Sequence, residues 1–120
     1  MNKILPIILV VVFSVYSTKT MAIDLKCKIL KPAAEHWPET INVTLRGNSK
    51  FIINRTKLED VEMDGHDYAK GYKYYKKHYV EYEFFYGSGN RLYASVYTKN
   101  DSWFGNDEHR YTDGYSCKLK

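Results

Sequence analysis

Cations and aromatic rings are interleaved most densely in Lys70-Gly71-Tyr72-Lys73-Tyr74-Tyr75-Lys76-Lys77-His78-Tyr79. Such a mixture suits a nucleic-acid surface, because bases stack on tyrosine while lysine meets phosphate. The same chemistry serves glycans and anionic lipid heads. Lys70, Tyr72, Lys73, Tyr74, Tyr75, Lys76, Lys77, His78 and Tyr79 are therefore candidate binding residues. The competing reading is structural: the tyrosines pack the core and the lysines solvate the opposite face. Tyr is also the outlier of the composition, with 12 copies against 5 Phe and 2 Trp.

A second constellation could do acid–base work. Glu81 and Glu83 fall on one strand face, Arg91 lies across a turn, and His66 and His78 lie upstream. In phosphodiester cleavage Glu81 would take the attacking hydroxyl's proton and a histidine such as His66 would protonate the leaving oxygen. Arg91 would meet the phosphate charge. The spacing is not diagnostic, and a solvent-facing Glu on a strand is more often only solvated. No P-loop, GxGxxG, HExxH or GxSxG occurs, which removes the common nucleotide, zincin and serine-hydrolase classes. Asp60-x-Glu62-x-Asp64-Gly65 has a faint look of a calcium loop, but Gly71 stands where the bidentate Glu is required. The histidines are scattered without zinc-ligand spacing. No metal and no cofactor is expected.

The elements that must carry these residues follow a leader. Residues 1–3 are positively charged, residues 4–16 are almost wholly apolar, and Thr20-Met21-Ala22 places small residues where a signal peptidase reads. The uncharged run 4–18 is about 15 residues long, short of the roughly 20 that span a bilayer. The reading is a secretory signal peptide over residues 1–22, cleaved near Ala22, and one small β-rich domain over residues 23–120, without a membrane span and monomeric. Losing Lys3 and Lys19 from 18 basic residues against 14 acidic ones lowers the net charge from +4 to +2. A net charge that small does not steer the whole molecule onto nucleic acid.

Export makes Cys27 and Cys117 a natural pair. Each lies just inside one end of the mature chain, so a bridge requires the terminal segments to be neighbours, as paired strands. Asn42, Asn54 and Asn100 each begin an Asn-x-Ser/Thr triplet and are candidate glycosylation sites.

Alternation of apolar and polar residues predicts strands at 23–29, 41–46, 51–53, 80–86, 91–98 and 115–119. Residues 33–36 leave room for one helical turn, and 56–65 reads as an acidic connection. Segment 67–79 is ambiguous. Tyr68, Tyr72, Tyr75 and Tyr79 recur three or four residues apart, as on a helix, whereas Gly71 and the density of Tyr favour a strand. The expected fold is α+β, mainly antiparallel β. It is a curved sheet of about five to six strands with at most one short helix, its terminal strands joined by the disulfide.

A leader, a mature chain of about 98 residues, one Cys near each end and a β-rich second half together resemble the small secreted ribonuclease-like proteins of fungi. Residues 82–98 followed by Cys117 match the order of that group's C-terminal half. Leu25-Lys26-Cys27 stands where many mildew effectors carry an aromatic-x-Cys motif, with Leu25 in place of the aromatic. The active enzymes end the strand corresponding to 91–98 with a His, and here the stretch reads Val96-Tyr97-Thr98-Lys99. The resemblance thus implies a ribonuclease scaffold without the catalytic set, acting as a secreted effector on host RNA or a host protein. A secreted ribonuclease using His66, Glu81 and Arg91 is the catalytic alternative. Ser88-Gly89 and the terminal Cys pair also resemble small periplasmic β-barrels such as lysozyme inhibitors.

Overall fold

The computed structural model describes residues 22–30, 38–87, 89–100 and 105–120. Among them there is no helix; nine antiparallel strands form one sheet. They are β1 (Ala22–Ile29), β2 (Thr40–Arg46), β3 (Lys50–Ile53), β4 (Thr56–Lys57), β5 (Glu59–Asp64), β6 (Tyr68–Tyr74), β7 (His78–Phe85), β8 (Asn90–Thr98) and β9 (Glu108–Leu119). The antiparallel sheet is as expected. The α+β class and the count of five to six strands are corrected: the sheet has nine strands, and the described residues include no helix. Residues 1–21 of the expected leader, the turn expected at 33–36, Ser88 and the loop residues Trp103 and Phe104 lie outside the described residues, whereas Ala22 begins β1.

Every strand pairs with its chain neighbour except at β4–β5, and β9 returns to pair with β1. The two edge strands β4 and β5 are separated only by Leu58. Together they make one bent strand, whose start pairs with β3 and whose remainder pairs with β6. The sheet therefore curls into a nearly closed barrel, which leaves little free edge. Leu58 itself is buried, and its amide donates to the Phe51 carbonyl at 2.9 Å.

Alternation decides what fills the interior. Leu25 and Cys27, Val43 and Leu45, Phe51, Phe84, Leu92 and Tyr115 are almost fully buried, and Val80, Tyr82, Ala94 and Val96 join them. Side chains fill a barrel of this small size rather than leaving a channel. Cys27 and Cys117 are directly opposed on β1 and β9, and they form the disulfide. The bridge joins the first strand to the last, at the seam between β1 and β9.

One open reading is decided here and one expectation fails. Segment 67–79, which the sequence leaves between helix and strand, forms β6, a turn and the start of β7. Ala69 and Gly71 point inward, and Tyr68, Lys70, Tyr72 and Tyr74 point outward. A Cβ on Gly71 would meet Leu58 Cβ at 2.9 Å and Val61 Cγ2 at 3.3 Å. The bent strand crosses so close to β6 that only glycine fits at this position. The acidic stretch 56–65 is not a loop. Its carboxylates hide a strand whose Val61 and Met63 pack against the core. A bulge between Glu59 and Glu62 absorbs the misfit, with Asp60 at φ 50°. At Asn54-Arg55, φ values of 47° and 70° mark the two-residue hairpin that starts the bent strand.

Candidate binding face

Four long strands, β6 to β9, present one continuous outer face. Their register arranges it in rows that run across the strands. Tyr74 faces Tyr79, Tyr79 faces Tyr97, and Tyr97 faces His109. The ring centroids along this row are 5.9, 5.1 and 5.1 Å apart. Tyr72 joins from the next row, 5.8 Å from Tyr74 and 6.0 Å from Tyr79. At the far end of the same strands a second row runs from Tyr68 to Phe85, with Tyr93 6.0 Å beyond.

The rings stand as slats. Tyr79 and Tyr97 are nearly parallel, 12° apart, at a spacing too short for coplanar neighbours. Their flat faces partly cover each other, so edges and hydroxyls point outward. Carboxylates hold those hydroxyls. Tyr74 donates to Asp60 Oδ2 at 2.5 Å, Tyr79 to Asp107 Oδ2 at 3.0 Å, and Tyr68 to Glu83 Oε2 at 2.9 Å. All three phenols are pushed up to about 12. For Tyr74 the Asp60 hydrogen bond is the main cause; for Tyr79 and Tyr68 burial leads and the carboxylate adds. Asp107 is held below the usual carboxylate range, first by the Asn100 amide and then by the Tyr79 hydroxyl.

Between the aromatic rows lies a polar band. Tyr72, Glu81, Ser95 and Thr112 face one another in turn across β6 to β9. Ser95 Oγ and Thr112 Oγ1 are 2.8 Å apart, and His109 Nε2 lies 2.7 Å from Thr112 Oγ1. Burial raises the Glu81 carboxyl, while nearby Lys70 opposes the shift and Glu83 adds to it.

The sequence-derived binding run is thus divided. Lys70, Tyr72, Tyr74 and Tyr79 lie on the outer face, whereas Tyr75, Lys76, Lys77 and His78 form the turn leading into β7 and its first residue. Tyr75 and His78 stack on each other at 4.5 Å, and Lys73 sits half-buried with its ammonium 5.3 Å from the Tyr75 ring. Lys99, outside the run, closes this end by donating to the Tyr75 carbonyl at 2.7 Å.

The alternative acid–base set does not converge. Glu81 is opposite Ser95 and Arg91 is opposite Phe85, four residues along β7 and so about 13 Å apart. Arg91 donates instead to Ser116 Oγ at 3.0 Å. His66 is in the β5–β6 turn and lines an apolar opening with Ile23, Phe84 and Leu119. No group of three or more potential metal ligands occurs among the described residues. Asn42 and Asn54 are exposed, joined by Asn54 Oδ1 accepting from the Asn42 amide at 2.8 Å; Asn100 is exposed at the end of β8.

Sequence reasoning missed Tyr68, Phe85, Tyr93, Tyr97 and His109. The signal was present in β8: with Leu92, Ala94 and Val96 inward, Tyr93 and Tyr97 had to point outward. Only the cross-strand register shows that they meet Tyr79 and Phe85.

No family model, no curated protein and no solved structure matches this chain.

Proposed function

We propose that this is an exported, non-catalytic binding protein that engages a protein partner through the outer face of β6 to β9. The observation that carries this reading is where the tyrosines lie. Among the described residues only Tyr82 and Tyr115 belong to the core. Tyr68, Tyr72, Tyr74, Tyr79, Tyr93 and Tyr97 share one outer face with Phe85. Core packing therefore does not account for the surplus of Tyr. Protein interfaces are enriched in such rings, which combine a large apolar body with a polar tip.

Two features favour a protein over RNA. Tyr79 lies against Tyr97 and Tyr72 against Tyr74, which leaves fewer open ring faces for a base. Glu81, Glu83, Asp60 and Asp107 all border the rows, and a phosphate backbone would meet them unfavourably. Export is supported by the leader's composition and by the Cys27–Cys117 disulfide, which suits an oxidising compartment.

The proposed role as an effector on a host protein rests on the ribonuclease-like resemblance. One observation favours a second reading, an inhibitor of an exported enzyme such as a lysozyme: the curled sheet closes on itself without a helix in the described residues. Stoichiometric inhibition of a lysozyme, lost in the Tyr93→Ala with Tyr97→Ala variant, would select it.

The test of the common claim is a paired capture. Wild-type chain and the Tyr93→Ala with Tyr97→Ala variant are immobilised and offered the proteins of the compartment that receives the chain. One protein retained by the wild type and lost by a variant that still melts cooperatively is the expected result. Equal retention by both, or retention of RNA alone, overturns it.

A further inference from the structure

The other half of the barrel wall carries a different chemistry. On the outer faces of β9, β1, β2 and β3 the exposed charged side chains are mostly cationic. Lys26 is directly opposite Lys118 across the β1–β9 seam, and Arg46 is directly opposite Lys50 across β2–β3. Lys28, Lys57 and Lys120 extend the same wall. Like charges placed directly opposite destabilise an antiparallel pair. Nothing on the wall relieves them: among the described residues the ion pair within salt-bridge distance is Arg110 with Glu108, on β9. The nearby acids are Asp24, which accepts a hydrogen bond from the Thr44 hydroxyl at 2.7 Å, and Glu39 at the rim.

The net charge conceals this arrangement, because the compensating acids are elsewhere. Glu59, Asp60, Glu62 and Asp64 are on β5, and Glu81 and Glu83 are on β7. Two shallow grooves cross the cationic wall. One, of about 590 Å³, is bordered by Lys26, Lys28 and Lys118 with the hydroxyls of Thr40 and Ser116, and by Ile29, Leu30 and Glu39 at its rim. The other, of about 610 Å³, is bordered by Arg46, Arg55 and Lys120 with Asn42, Thr44 and Asn54. They adjoin at the cross-strand pair Lys26–Asn42.

We infer that this wall binds a linear acidic polysaccharide, its sulfates or carboxylates on the lysines and arginines and its hydroxyls on the Asn, Thr and Ser side chains of the grooves. The lining distinguishes this from other polyanions. Among the described residues the outer faces of β1, β2 and β3 carry no aromatic ring to stack a base, as single-stranded nucleic acid would use. Among the described residues the large exposed apolar side chain of this wall is Leu30, at the rim of the first groove, and Ile52 is half-buried, which is little apolar area to enter a bilayer. The two opposed cation pairs cost folding stability that a bound anion returns.

A charge reversal tests this without weakening the fold. Lys50→Glu with Lys118→Glu turns both like-charged pairs into opposite ones, so the melting temperature is expected to hold or rise. Lys76→Glu with Lys77→Glu makes the same change in net charge at the β6–β7 turn. A heparin-derived hexasaccharide is titrated into the full exported chain at low and at physiological salt. The wild type is expected to bind it, with affinity falling as salt rises; the wall variant loses about tenfold or more, and the turn variant changes by less than about threefold. Equal losses in the two variants, no binding at low salt, or equal wall-dependent binding of duplex DNA or phosphatidylglycerol vesicles would overturn the assignment.

Discussion

Tyr79 and Tyr97 face each other across β7 and β8 with their rings 5.1 Å apart and 12° from parallel. They are the middle of a row that crosses four strands, from Tyr74 to His109. A cross-strand aromatic pair is worth about 0.5–1.5 kcal/mol beyond its area burial. A double-mutant cycle with Tyr79→Ala and Tyr97→Ala is expected to give a coupling energy in that range by urea denaturation. The Phe85→Ala with Tyr97→Ala cycle, whose rings share no contact, should give about 0.3 kcal/mol or less.

Gly71 and Leu58 set the closure of the barrel. Gly71→Ala forces its Cβ to within 2.9 Å of Leu58. Overpacking of this kind costs about 1–3 kcal/mol. The loss should shrink when Leu58→Ala is added, and denaturation midpoints of the two single variants and the double variant check this.

The disulfide spans 90 residues. Constraining a loop of that length in the unfolded chain stabilises by about 4.5 kcal/mol in the chain-entropy model, and loss of such bridges from small exported domains costs about 2–5 kcal/mol. Cys27→Ser with Cys117→Ser should lower the denaturation midpoint accordingly. A change under about 1 kcal/mol would show that the seam holds by strand pairing alone.

Much of this architecture was legible in the chain. The alternation of β1, β2 and β8 matches their inward faces, that of β7 does so through Phe84 but not at the exposed Tyr86, and the positions of Cys27 and Cys117 implied paired terminal strands. Two elements were hidden. In β5 the acids Glu59, Asp60, Glu62 and Asp64 mask Val61 and Met63, because composition weighs against a strand where only half the residues need be apolar. In β6 the helical spacing of Tyr68, Tyr72, Tyr75 and Tyr79 is accidental. The residues are split by a turn, so Tyr72 and Tyr79 meet as neighbours on adjacent strands. The candidate face was only half visible, since it is made by register across β6 to β9 and not by one contiguous run. The segregation of charge was invisible in a net value, because Lys26 and Lys118 are brought together only by closure.

The pH dependence carries two signs. The phenols of Tyr68, Tyr74 and Tyr79, raised to about 12, contribute stability that is fully present below the ordinary tyrosine value of about 10 and drains away as pH rises through about 12. Late phenolate absorbance in an alkaline titration checks this, and Asp107→Asn should bring Tyr79 back toward the ordinary value. Glu81 is also raised, so its contribution is present at acid pH and lost as pH rises through its shifted value. Glu81→Gln should therefore leave stability at neutral pH unchanged or higher and flatten the acid limb, as read from urea midpoints against pH.

The central claim is that the outer face of β6 to β9 meets a protein partner. Its most direct test replaces Tyr93, on that face, with a photo-cross-linking amino acid, and in a second chain replaces Asn48, exposed in the turn between β2 and β3. Both chains are irradiated in the organism that makes them. The account predicts one discrete protein adduct from position 93 and none from position 48. The same adducts from both positions, or nucleic acid as the only product at position 93, would contradict it.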